Sequence, residues 1–172
     1  MIYNHFSTVA PDASQPAVIT PDGTTTWADL RTLVSQRYEQ LETVRGRSVA
    51  ILMPPTAEGI AAIAALDGLN ANTYLLAAEL KEIDQQEIAR RFGIPFVLTP
   101  PTNTDQSWNI QRIGVSESAE AKVDNNSTSV TIMTSGTEGN AKAASHTWST
   151  LGRPVRTSSS QKVQRWLLSY RV

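Results

Sequence analysis

The chain has 172 residues, long enough for one ordinary domain with a real core. Its formal net charge is −1, from 15 Lys and Arg against 16 Asp and Glu, so charge gives no footprint for nucleic acid. It has no cysteine, which excludes disulfides and thiolate metal sites.

Met1–His5 lacks the basic start and apolar run of a signal peptide. The most apolar run, Ile60–Leu66, ends at Asp67 and is far too short to span a membrane. A soluble cytoplasmic protein with no membrane span is expected.

Residues 1–16 read as a short amphipathic helix followed by a Pro/Asp/Ser loop. Ala17–Thr20 suits a strand, Pro21-Asp22-Gly23 a turn, and Thr24–Thr26 a returning strand, which makes a hairpin with Asp22-Gly23 at its tip. Thr26-x-x-Asp29 is a capping-box pattern, and Leu30, Leu33, Val34 and Leu41 follow at helical spacing, predicting a helix over Trp27–Thr43. Val49–Met53 is a continuous apolar run, as in a strand buried on both faces. Pro54-Pro55-Thr56 then opens a helix whose apolar face carries Ile60, Ile63 and Ala64, with Leu66 alongside. Thr73–Leu76 is the next strand candidate. Asp84-x-x-Glu87 caps a helix through Ile88 and Phe92, Gly93 closes it, and Phe96–Thr99 is another strand. This alternation predicts an α/β fold, a layered sheet with flanking helices and right-handed crossovers.

Pro100–Ser107 reads as a surface loop. Trp108–Val115 reads as extended, although its apolar alternation slips between Ile110 and Ile113. Ser116–Ser127 is a hydrophilic loop. No internal repeat is present.

Val130–Met133 then leads into Thr134-Ser135-Gly136-Thr137-Glu138-Gly139, with Lys142 just beyond. A buried strand that ends in a hydroxyl- and glycine-rich turn suits polyphosphate. Glycines let the backbone approach an anion, hydroxyls and amides donate hydrogen bonds, and the lysine adds a point charge. Composition alone favours an ordinary surface loop of small residues, because short Gly/Ser/Thr turns are common. The Walker pattern fails, because Ala141 and Ala143 flank Lys142 where Gly and Ser or Thr are needed. The dinucleotide pattern fails for want of its first glycine.

Thr134–Lys142, followed by His146-Thr147, resembles the phosphate-loop signature of adenylate-forming enzymes, T-S-G-S/T-T-G-x-P-K-G. That superfamily includes acyl-CoA synthetases, peptide-synthetase adenylation domains and luciferases. Thr134, Ser135, Gly136, Thr137, Gly139 and Lys142 agree with the signature. Glu138 replaces a Thr, Ala141 a Pro and Ala143 a Gly. A carboxylate about 5 Å from a phosphate charge costs about 3 kcal/mol at an effective dielectric of about 20, so Glu138 is the departure that bears on function. The resemblance extends to the hairpin, to the Trp-opened helix and to Gly46–Pro54. Within the family, Lys142-Ala143-Ala144 with His146-Thr147, and Trp166–Ser169, resemble the o-succinylbenzoate-CoA ligases of menaquinone synthesis.

The resemblance implies ATP-dependent activation of a small carboxylic acid as an acyl-adenylate. Thioester formation with coenzyme A, or transfer to a carrier protein, would follow, with magnesium accompanying ATP. It implies that Thr134, Ser135 and Thr137 offer hydroxyls to the β- and γ-phosphates, that Gly136 and Gly139 shape the backbone, and that Lys142 neutralises the leaving pyrophosphate. No general base is needed, because a carboxylate is already ionised near neutral pH. The resemblance covers only the opening portion of a typical member. Residues 1–172 are therefore expected to be a partial N-terminal domain, with the later adenine, ribose and catalytic-lysine motifs absent and no catalytic residue in this chain. A non-catalytic nucleotide- or partner-binding module with the same fold is the alternative, and a plain α/β domain is the third reading. His146 matches a family position near the loop, where it would order the turn. His5 reads as an exposed bystander, and two histidines so far apart make no metal cluster.

Overall fold

A computed structural model of the chain describes residues 3, 4, 6, 12–102, 107–114, 128–134 and 142–152. The N-terminal hairpin consists of β1 (Pro16–Thr20) and β2 (Gly23–Thr26). Thr20 pairs with Gly23, so the turn is Pro21-Asp22 and Gly23 is already in the strand, one residue from the expected tip.

Helix α1 (Trp27–Gln40) starts where the hairpin ends. Thr26 Oγ1 accepts from the Asp29 N–H at 3.2 Å, and the Asp29 carboxylate accepts from the Thr26 N–H at 3.2 Å and its hydroxyl at 2.6 Å. That is the predicted capping box, and it satisfies helix-end donors that would otherwise lack partners. The helix stops three residues before the predicted Thr43. A 3-10 turn over Glu42–Val44 follows, which brings Leu41 and Val44 into the core.

Strands and helices then alternate as predicted through β3 (Ser48–Met53), α2 (Ala57–Gly68), β4 (Asn72–Ala77), α3 (Glu82–Arg91) and β5 (Phe96–Thr99), after which come three strands, β6 (Asn109–Arg112), β7 (Ser129–Thr134) and β8 (Lys142–Thr147), and the short α4 (Trp148–Gly152). Strands β3 to β8 form one sheet in the order β6-β5-β3-β4-β7-β8. The four inner strands are parallel, and each outer strand is antiparallel to its neighbour.

Each sheet face carries its own core. Val49, Ile51 and Leu98 pack with Ala62, Ala65 and Leu66 of α2. Ala50, Leu52, Leu76 and Val97 face the other way, packing with Ala89 of α3. The slip in β6 follows from this division: Trp108 and Ile110 join the α2-side core, whereas Ile113 joins the α3-side core.

Helix α2 buries Ala64 and Leu66 as predicted, but not Ile60. Ile60 is 36% exposed, and the fully buried positions are Ala61, Ala62, Ala64, Ala65 and Leu66. The helix lies between two layers. Ala62 and Ala65 meet the sheet, while Ala57, Ala61 and Ala64 meet Leu30 and Val34 of α1. Small side chains let both layers come close, which the larger isoleucines would prevent. Arg37 of α1 and Glu58 of α2 lock the two helices with paired 2.8 Å contacts.

Helices α2 and α3 end alike. Ala71 N–H donates to Leu66 O and Asn70 N–H to Asp67 O, and Ile94 N–H donates to Ala89 O and Gly93 N–H to Arg90 O. Both are Schellman ends, with Asn70 at φ 55° and Gly93 at φ 64° in the left-handed position. At its start, α3 is capped by Lys81, with Asp84 inside the first turn, not by Asp84 as predicted.

Candidate functional site

The connections define a geometric centre. The β3-α2-β4 crossover moves one way along the sheet with its helix on one face. The β4-α3-β5 crossover moves back past β3 with its helix on the other. The order therefore reverses between β3 and β4. In open α/β sheets the crevice beyond the carboxyl ends of strands at such a reversal is where ligands bind. Its walls begin at Met53 and Ala77, and β7, parallel to β4, ends at the same edge with Thr134.

Thr134 is also the last residue of the β7–β8 ladder, paired with Lys142. The structure thus brings together the first and last of the predicted site residues, across two antiparallel strands at the carboxyl edge. Ser135, Gly136, Thr137, Glu138 and Gly139 lie outside the described residues. Lys142 is exposed, so a cation stands at the mouth of this ladder.

Below the mouth, β7 and β8 are tied by a hydroxyl pair, Thr131 Oγ1 to Ser145 Oγ at 2.8 Å. Thr131 is buried. Beside it, Tyr74 of β4 packs against Phe92 with ring centroids 6.4 Å apart, and burial pushes its phenol above the ordinary value.

His146 stands opposite Val130, half-buried in β8 and four residues down the strand from Lys142. It lies in the ladder, and the residues that it was expected to order fall outside the described residues. His5 falls outside the described residues. Among the described residues no group of three or more His, Cys, Asp or Glu is placed to hold a metal.

Two residues escaped the sequence reading. Asp67, near the end of α2, is 1% exposed and accepts from the Tyr3 N–H at 3.1 Å and the Thr128 hydroxyl at 2.9 Å. Asn72, opening β4, accepts from the Ser129 N–H at 3.2 Å and the Ser129 hydroxyl at 2.9 Å. The one sequence signal for them was a lone acid ending an apolar run, which buried carboxylates with structural partners produce.

A second concavity, of about 630 Å³, is open to solvent at the other end of the sheet, lined by Glu82, Gln85, Thr99, Asn109, Gln111 and Arg112. It mixes a carboxylate, a guanidinium and amides, and β3 and β4 separate it from β7. No helix among the described residues is long and apolar enough to cross a membrane.

No family model and no curated protein matches the sequence. Solved structures do match. The o-succinylbenzoate-CoA synthetase (MenE) of Bacillus subtilis, in complex with the acyl-adenylate intermediate OSB-AMP, aligns with a TM-score of 0.63 at 21% identity, over 92% of this chain and 47% of that one. The N-terminal domain of FACL13 from Mycobacterium tuberculosis aligns at 0.57 and 22%, over 85% and 43%. The N-terminal subdomain of NpsA from Klebsiella oxytoca, in complex with 3-hydroxyanthranilyl-AMSN, aligns at 0.58 and 20%, over 84% and 39%. The fold is that of the N-terminal part of adenylate-forming enzymes, and the chain spans less than half the length of these structures.

Proposed function

We propose that this chain supplies the phosphate-binding part of an AMP-forming ligase. The ligase joins a small carboxylic acid to ATP as an acyl-adenylate and then forms a thioester with coenzyme A. The observation that carries this reading is the meeting of Thr134 and Lys142 at the carboxyl edge, with the glycine- and hydroxyl-rich sequence 135–141 between them. Backbone amides and hydroxyls there would take the β- and γ-phosphates, and Lys142 would balance charge on departing pyrophosphate. The reacting carboxylate needs no base, so catalysis rests on positioning and electrostatics supplied with the rest of the ligase. Likeness to a structure holding OSB-AMP makes o-succinylbenzoate the first substrate to try.

Glu138 favours a second reading, a nucleotide-binding module without ligase activity, since a carboxylate in this turn opposes phosphate. ATP–pyrophosphate exchange on the full-length protein, with a panel of carboxylic acids, separates the two. Exchange with one acid supports the ligase, and ATP binding without exchange on any acid supports the module. Glu138→Thr removes the opposing charge and is expected to tighten ATP binding by about a hundredfold, as seen by calorimetry. Unchanged affinity would mean that Glu138 faces away from the phosphates.

A further inference from the structure

Strand β7 has a weak hydrophobic address. It reads Ser129-Val130-Thr131-Ile132-Met133-Thr134, with apolar residues on both faces. Val130 and Thr131 are buried, at 2% and 1%, whereas Ile132 is 36% exposed. A slip of one residue along β4 would exchange Val130 for Thr131 with little change in apolar burial. Alternation, which normally fixes register, does not fix it here.

Polar contacts at the start of the strand do. The hydroxyl and N–H of Ser129 converge on one oxygen of Asn72, and the Thr128 hydroxyl reaches buried Asp67. A slip one way brings Val130, which has no hydroxyl, to Asn72. A slip the other way brings Thr128 there and strips Asp67 of a donor. Either slip takes a hydroxyl donor from an acceptor, half-buried Asn72 or fully buried Asp67, and such a loss outweighs the small apolar difference between registers. A one-residue slip also carries Thr134 about 3.3 Å along the strand and turns it to the opposite face.

We propose that Asn72 and Asp67 are positioning residues: by setting the register of β7 at its first residues, they set where Thr134 and Lys142 stand at the carboxyl edge. The consequence for nucleotide binding rests on the phosphate-loop reading above. The register itself does not.

The test uses the full chain, isotope-labelled, with ATP and magnesium as the probe. Asn72→Leu is expected to change the cross-strand contacts of Val130–Ile132 with Thr73–Leu75 seen by NMR, and to weaken ATP binding about tenfold. Asn72→Asp keeps an acceptor oxygen and should restore both. Val34→Ala, in the separate α1 core, should lower stability and leave ATP affinity unchanged. Should Asn72→Leu fail to fold, Ser129→Ala removes only the hydroxyl and should move both readouts the same way, about threefold in affinity. Wild-type β7–β4 contacts in Asn72→Leu overturn the proposal, as does a shifted strand with unchanged ATP affinity. If the wild-type chain binds no ATP but Asn72→Leu shifts the strand, the register role stands and the nucleotide reading fails.

Discussion

Gly59 shows how a single residue holds the carboxyl edge in place. A Cβ built there would stand 2.3 Å from the Pro54 carbonyl oxygen and 2.8 Å from Met53 Sδ. Two effects oppose each other in Gly59→Ala. Helix propensity favours alanine by about 1 kcal/mol, and overpacking against fixed backbone costs about 1–3 kcal/mol. The carbonyl belongs to the chain leaving β3 and cannot swing away as a side chain could, so the clash dominates. The substitution is expected to lower stability by about 1–2 kcal/mol, read as a lower midpoint in urea unfolding. A raised midpoint would mean that the Pro54 segment yields freely.

At the scale of elements, the cap of α1 gives a titration. The Thr26 hydroxyl, and then its backbone N–H, hold the Asp29 carboxyl below its ordinary value. A depressed folded-state value means that the cap's contribution is complete above the unfolded value and is lost as pH falls through the folded one. Thr26→Ala removes the larger cause, so NMR titration should show the Asp29 value rising toward that of a free aspartate. An unmoved value would mean that the hydroxyl does not hold the carboxylate in solution. Such local devices are also what made the fold legible in the sequence. The capping box, the closing Gly93 and the β5 run all act within a few residues. The buried face of α2 was legible only in part, at Ala64 and Leu66, because alanines give little hydrophobic signal and the burial of Ala61, Ala62 and Ala65 depends on how closely α1 and the sheet approach. The glycine- and hydroxyl-rich sequence after β7 stands out for the same local reason. Its anchors do not, since Asn72 and Asp67 meet Ser129 and Thr128 across 57 and 61 residues.

Across the whole molecule, Asp67 joins parts of the chain that no crossover connects. One oxygen takes the Tyr3 N–H and the other the Thr128 hydroxyl, so a single carboxylate fastens both the N-terminal segment and the entry to β7. Tyr3 reinforces the junction: its ring stacks on Tyr38 at 4.8 Å and fills the space where a Cβ on Gly68 would lie 2.6 Å away. Asp67→Ala removes an acceptor from two donors at once, at about 1–3 kcal/mol. The effect should be two-ended. Hydrogen exchange should quicken at the Tyr3 amide and in β7, while α3, packed in the other core, keeps its protection relative to global stability. Faster exchange at only one of the two ends would show that the carboxylate serves one partner, and that the N-terminal segment and the loop-bearing strand are held independently.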